Sequence, residues 1–165
     1  MERTAVCPGS FDPVTVGHID IITRTAEMFD HVVVVVMSNY HKMNSYSFTV
    51  EERIDLLRRC TTDLPNVEIA QYSGLLADYV KTIGAKAIVK GLRAVSDFEN
   101  EFQQALTNKR LAPEVETLFM TTRAENMFLS SSMVKQVCMF GGDITPFVPA
   151  EIQDDIIKRL TIQHK

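Results

Sequence analysis

Thr15, Val16, Gly17 and His18 follow the turn-rich run Gly9-Ser10-Phe11-Asp12-Pro13, and these residue types can do chemistry on an anion. If a helix starts near Thr15 to Gly17, its free N–H groups and the positive end of its dipole face whatever docks there. Gly17 then lets a phosphate approach the backbone closely, and His18 in the first turn points at it. Taken singly, the same residues read as structure: Gly9 as a turn, Thr15 as an N-cap, His18 as a polar residue on an amphipathic helix. Other segments shift the balance. Lys42 follows the second predicted strand, Lys90-Gly91-Leu92-Arg93 the fourth, and Arg123 the fifth, before Ser130-Ser131-Ser132 leads into a helix. The chain is acidic, with 17 Lys and Arg against 21 Asp and Glu and a formal charge of −4. Cations and helix starts gathered at one sheet edge of such a chain imply a polyanionic small molecule, with no nucleic-acid or membrane partner.

The sequence has no GxGxxG after the first predicted strand and no GxxxxGK[ST], which excludes the common dinucleotide-binding and P-loop sites. Its histidines and carboxylates show no HExxH or comparable pattern, so no protein metal site is expected. The acidic run Asp97, Glu99 and Glu101 is explained by a helix start, although Glu101 falls close to the predicted site. The three cysteines, Cys7, Cys60 and Cys138, are odd in number and far apart, which supports neither a disulfide framework nor a zinc centre. Val32 to Met37, the longest strongly apolar run, is far short of the roughly 20 residues of a membrane helix. No secretory leader is recognisable at the N-terminus, and a cytoplasmic location is expected.

The elements that must position these groups alternate. The 165 residues, 45% hydrophobic and 23% charged, suit a single globular domain spanning 1–165. Strands are expected at Ala5 to Pro8, His31 to Ser38, Val67 to Tyr72, Ala87 to Lys90 and Thr117 to Thr121. The five consecutive valines of the second suit a strand buried on both faces. Helices are expected over Gly17 to Met28, Glu51 to Arg59, Leu75 to Ile83, Ser96 to about Leu111, Ser131 to Phe140 and Ala150 to Gln163. Capping-box spacings stand at Thr49 to Glu52 and Ser96 to Glu99. This order predicts an α/β, doubly wound, mainly parallel five-stranded sheet with helices on both faces and right-handed crossovers. Ligands of such folds bind beyond the carboxyl ends of the strands, where strand order reverses.

Gly9-Ser10-Phe11-Asp12-Pro13 with Thr15-Val16-Gly17-His18 resembles the [TH]xGH signature of the nucleotidyltransferase superfamily. Ser130-Ser131-Ser132-Met133-Val134-Lys135 resembles its C-terminal motif. Lys90 to Glu99 and Phe48-Thr49-Val50-Glu51-Glu52-Arg53 narrow the likeness to the bacterial phosphopantetheine adenylyltransferase family, nearly end to end, through Asp143 to Pro149. The resemblance implies transfer of AMP from ATP to 4'-phosphopantetheine, giving dephospho-coenzyme A and pyrophosphate. It also implies Mg²⁺ held largely by substrate phosphates, a cytoplasmic homohexamer and inhibition by coenzyme A. By matching position, Ser10 and Phe11 would meet ATP, with Ser10 also near the acceptor, and His18 would steady the transferring phosphate. Lys42, Leu76 and Lys90 would line the acceptor side. Gly91, Leu92, Arg93, Glu101 and the segment Asn126, Met127, Phe128, Leu129, Ser130, Ser131 and Ser132 would hold the nucleotide. Lys90 stands where the family commonly carries arginine, so it would meet a phosphate as a point charge and not as a planar fork.

The chemistry suits this set. A phosphate monoester has a second pKa near 6, so the nucleophile is largely dianionic at neutral pH and needs no general base. What remains is in-line positioning of two repelling phosphates and neutralisation of growing charge, tasks for His18, Lys42, Arg93 and helix amides. A related nucleotidyltransferase with another phosphorylated acceptor, or a binding module without turnover, are the competing readings. Lys90-Gly91-Leu92-Arg93 speaks against the first, and Ser10, His18, Lys42 and Arg93 together against the second.

Overall fold

The computed structural model describes residues 3–38 and 45–161, with Val95 and Ser96 described by their backbone alone. Five strands, β1 (Thr4–Gly9), β2 (His31–Met37), β3 (Val67–Tyr72), β4 (Ala87–Leu92) and β5 (Glu116–Thr121), form one sheet in the order β3-β2-β1-β4-β5. Every registered pair is parallel. Between and after the strands come α1 (Val16–Met28), α2 (Val50–Cys60), α3 (Leu76–Thr82), α4 (Val95–Leu111), α5 (Ser131–Met139) and α6 (Gln153–Leu160). The expected doubly wound α/β fold is therefore the observed one.

Alternation along the strands divides the core into two layers. Val32, Val34 and Val36 of β2, with Ala5 and Cys7 of β1 and Val89 of β4, pack with Ile22, Leu57, Val134 and Ile156 from α1, α2, α5 and α6. Val33 and Val35, with Val6 and Ile88, face the opposite layer, where α3 contributes Ala77 and Val80. The five valines of β2 are all buried, each contributing roughly 1.5–3 kcal/mol of apolar burial.

Strand order reverses between β1 and β4, and there the sheet opens. β1 registers with β2 along its whole length, from Thr4 opposite His31 to Gly9 opposite Val36. With β4 it registers only at Ala5 and Val6, opposite Ala87 and Ile88. Pro8 has no N–H to give to either neighbour, and the ladder to β4 stops two residues before it. Helix α1 covers the gap closely: a Cβ on Gly91 of β4 would lie 3.0 Å from Cγ1 of Ile21.

Two helix expectations change. α4 starts at Val95 with Ala94 as its N-cap and no side-chain cap, so the Ser96 to Glu99 capping box does not open it. Asp97, already inside the first turn, pairs instead with Arg93. The closing helix is shorter than expected: Ala150–Ile152 forms a 3-10 turn before α6, and its expected end at Gln163 lies outside the described residues. The Thr49 capping box forms as expected, with Glu52 reaching back to the Thr49 amide at 2.8 Å.

Candidate active site

The opening between β1 and β4 is a cavity of about 540 Å³, lined by the β1–α1 loop, β4, the start of α4 and the start of α5. Of the sequence-predicted residues, Ser10, Phe11, His18, Lys90, Gly91, Arg93, Glu101, Asn126, Leu129, Ser130, Ser131 and Ser132 line it. Leu92, Met127 and Phe128 do not, and Phe128 is 84% exposed. Leu76, at the first position of α3, lies away from the cavity and packs against the opposite core layer. Lys42 lies outside the described residues. Arg123, expected among the converging cations, is turned to Asp20, with Nε 2.7 Å from Oδ1. Asp20 of α1 also holds Arg24 at 3.1 Å, so one carboxylate engages both arginines.

His18 owes its state to the start of α1. Thr15 is the N-cap and His18 is the third helical residue, the position where a capping box ordinarily carries Glu or Gln. The His18 amide donates to Oγ1 of Thr15 at 3.3 Å, and the Thr15 amide donates to Nδ1 of His18 at 3.0 Å. A ring nitrogen that accepts carries no proton, so the neutral ring has its proton on Nε2. Burial, and then the charge of Arg93, pull the His18 pKa down to about 4. The ring is therefore a neutral N–H donor at physiological pH, with Nε2–H as the group left for a ligand.

The loop before α1 is fixed tightly. Phe11 adopts a left-handed conformation, φ 49°, which costs a non-glycine residue about 1–2 kcal/mol. Its ring lies edge-on to His18, with centroids 5.1 Å apart, and fills the space over Gly9, where a Cβ would come within 2.9 Å of it. Asp12, 4% exposed, accepts from the amides of Ser47 and Phe48 at 3.0 to 3.1 Å and pairs with Lys135 of α5 at 2.9 Å. Ser131 at the head of α5 donates its hydroxyl to the Pro13 carbonyl at 2.7 Å, tying α5 to the same loop. Ser130 caps α5 by accepting from the Met133 amide at 3.1 Å. Cys7 lines the cavity as well, but burial pushes its thiol up to about 12, so it is wall and not nucleophile.

The opposite wall carries charge. Arg93 donates Nη1 to the Leu129 carbonyl at 2.6 Å and Nε to Asp97 at 2.9 Å, joining the β4–α4 turn to the segment before α5. Lys90 is ion-paired with Glu101 and donates to Gln104 at 3.0 Å. Sequence reasoning missed Asp12 and Lys135 as a pair, the histidine capping box, and Arg53, which donates to the Ser10 carbonyl at 2.7 Å. Thr15-x-x-His18 at a helix start carries the signal for the second of these. Nothing in the spacing signals the others.

The topology and the site define a class: a doubly wound α/β domain with its cavity at the switch point between the first and fourth strands, where ligands of such folds bind. The family model described as cytidylyltransferase-like matches residues 6–137. A solved structure from Vibrio parahaemolyticus, assigned by name to the nicotinate-nucleotide adenylyltransferases, superposes with a TM-score of 0.67 at 16% identity. It covers 95% of this chain and 99% of its own, and shows the shared fold. The phosphopantetheine adenylyltransferase of Dictyoglomus turgidum is 53% identical over 96% of this chain and 98% of its own. That of Clostridium tetani is 55% identical over 94% and 96%, and that of Caldanaerobacter subterraneus 50% over 95% and 97%. This chain belongs to the phosphopantetheine adenylyltransferase family, and is a nucleotidyltransferase.

Proposed function

We propose that this chain transfers the adenylyl group of ATP to the phosphate of 4'-phosphopantetheine, releasing pyrophosphate and giving dephospho-coenzyme A, by direct in-line attack. An oxygen of the acceptor phosphate bonds to the α-phosphorus while the bond to the αβ-bridging oxygen breaks, and the electron pair leaves with pyrophosphate. The reaction runs in reverse by the same path. The acceptor is already a dianion near neutral pH, so no side chain removes a proton. The observation that carries this reading is a neutral His18 with its proton on Nε2, held in a cavity that also presents Arg93 and the start of α5. A donor fixed before the reaction needs no reorganisation as charge grows on the α-phosphate. Arg93, Lys42 and the amides at the helix starts would share the polyphosphate charge. Ser10 and Lys90 would face the acceptor, with Leu76 further out.

The cavity carboxylates are each engaged: Asp12 by Lys135 and two amides, Asp97 by Arg93, and Glu101 by Lys90. Among the described residues, no group of three or more His, Cys, Asp or Glu is placed to hold a metal ion. This donor set fits Mg²⁺ that arrives on the nucleotide and is held by phosphate oxygens. Bound there, Mg²⁺ would offset part of the negative charge that the acceptor must approach.

The family likeness also supports a homohexamer, cytoplasmic location and inhibition by coenzyme A. Phe98, Phe102 and Leu106, exposed at four-residue intervals along α4, supply an apolar face suited to self-association. No helix among the described residues is long and apolar enough to cross a membrane. The test is pyrophosphate release from ATP and Mg²⁺ with 4'-phosphopantetheine, nicotinamide mononucleotide or glycerol 3-phosphate as acceptor, with products identified by mass. Dephospho-coenzyme A formed with phosphopantetheine alone is the expected result. Turnover with another acceptor would replace the substrate, and binding without release would remove the activity.

A further inference from the structure

Among the described residues, Arg53 of α2 is the largest side chain buried to below 2% exposure, and a guanidinium is a cationic, planar group. Taking such a charge out of water is costly unless it is paired. Among the described residues, however, no carboxylate pairs with it. Its partners are the Ser10 carbonyl, 2.7 Å from Nη1, the Thr49 carbonyl, 3.3 Å from Nε, and the ring of Tyr46, whose centroid lies 4.2 Å away. A full positive charge thus stands behind the loop that ends β1, met by two backbone dipoles and an aromatic face.

The placement is specific. Ser10 immediately precedes Phe11, whose left-handed backbone is the unusual turn of this loop, and Asp12 immediately follows it. Arg53 holds the carbonyl on one side, while the amides of Ser47 and Phe48, just before α2, hold the Asp12 carboxylate on the other. The segment entering α2 therefore clamps Phe11 from both flanks, and the Phe11 ring rests against His18. Tyr46, stacked on the guanidinium, also lines the cavity. Lysine could not replace this arrangement, because it has neither the planar face for Tyr46 nor donors on two edges for two carbonyls.

We propose that Arg53 is a positioning residue for adenylyl transfer: by fixing the Ser10 carbonyl it holds the turn at Phe11 that sets the His18 ring, and its charge backs the loop that receives a polyanion. The proposal rests on the adenylyl-transfer reading for its substrate and on the clamp geometry for its mechanism. Arg53 does not itself line the cavity, so its effect passes through Ser10, Phe11 and Tyr46.

The experiment uses the full chain with Arg53→Met, which keeps the bulk, and Arg53→Lys, which keeps the charge. Three quantities are read: kcat and KM for pyrophosphate release with phosphopantetheine, the thermal midpoint, and the His18 ring proton resonances without substrate, identified by their loss in His18→Asn. Both variants are expected to stay folded within a few degrees of the parent. Their kcat should fall about tenfold for Lys and further for Met, KM should change less, and the His18 resonances should move in both. Unchanged kcat and unmoved His18 resonances would overturn the proposal. So would activity that merely tracks the folded fraction, or failure of both variants to fold, since either makes Arg53 a structural residue only. If the parent releases no pyrophosphate with phosphopantetheine, the substrate reading fails, while the His18 resonances still decide whether Arg53 sets the ring.

Discussion

The wall of the cavity built from the β1–α1 loop is fixed around a buried carboxylate, whereas the wall built from β4 and α4 is held by ion pairs whose carboxylates are more exposed. On the first, Asp12 is 4% exposed and engaged by three donors, and His18 is locked by its own helix cap. On the second, the Arg93 side chain is 36% exposed and the Asp97 side chain 27%. On the adenylyl-transfer reading, the groups whose direction matters when a bond is changing are the buried, preorganised ones, and those that would share the polyphosphate charge are the more exposed ones. Removing a fixed group should therefore cost turnover or fold, and removing a more exposed charged group should cost binding.

The largest expected effect tests the fixed wall directly. His18→Ala should lower kcat on the order of 10²-fold or more with little change in ATP affinity, read by steady-state kinetics beside calorimetric ATP binding. An unchanged kcat would remove His18 from the reaction. Next, Asp12→Ala leaves Lys135 and two amides without their acceptor and should destabilise the fold by about 2 kcal/mol, measured by urea unfolding. No loss of stability would mean that this wall is no more fixed than the other.

On the more exposed wall, Arg93→Ala should raise the KM for ATP about tenfold with a smaller change in kcat, the result expected if its guanidinium serves binding. The same variant tests the electrostatics. Because burial and Arg93 pull the His18 pKa down from 6.5 to about 4, the unfolded chain takes up a proton at a higher pH than the folded one. This contribution to stability is complete above pH 6.5 and is lost as pH falls toward 4. NMR titration of His18 should show its midpoint moving up in Arg93→Ala, and an unmoved midpoint would leave burial as the sole cause. The smallest change is Lys90→Arg, which should lower the KM for phosphopantetheine a few-fold by offering the planar fork. A raised KM would show that the pairing of Lys90 with Glu101 and Gln104 is itself what the acceptor requires.

Much of the scaffold was legible because local patterns decide it. Five valines leave β2 little alternative, and Thr49 with Glu52 marks the start of α2 unambiguously. The alternation of elements alone puts His18, Arg93 and Ser130 to Ser132 at one sheet edge, where the cavity gathers them. Where reading failed, nonlocal contacts were the reason. Ser96 to Glu99 has capping-box spacing, but the chain turns into α4 earlier, at Val95, as Arg93 and Asp97 pair across the start. Arg123 carries the right charge after the right strand, yet Asp20 of α1 captures it. Asp12 and Lys135 stand 123 residues apart, a separation with no periodic signature. Arg53 looks in sequence like any charged residue of an amphipathic helix, and only its burial against Ser10 distinguishes it.

The two-residue register between β1 and β4 has a mechanical consequence. A sheet joined across its middle by so short a ladder divides along that line into two panels of longer ladders, β3-β2-β1 and β4-β5. Amide hydrogen exchange would read that line as the least protected seam of an otherwise well-protected sheet. A nucleotide lying across it would act as a rivet between the panels, slowing exchange in β1 and β4 together while leaving the β2–β3 ladder unaffected.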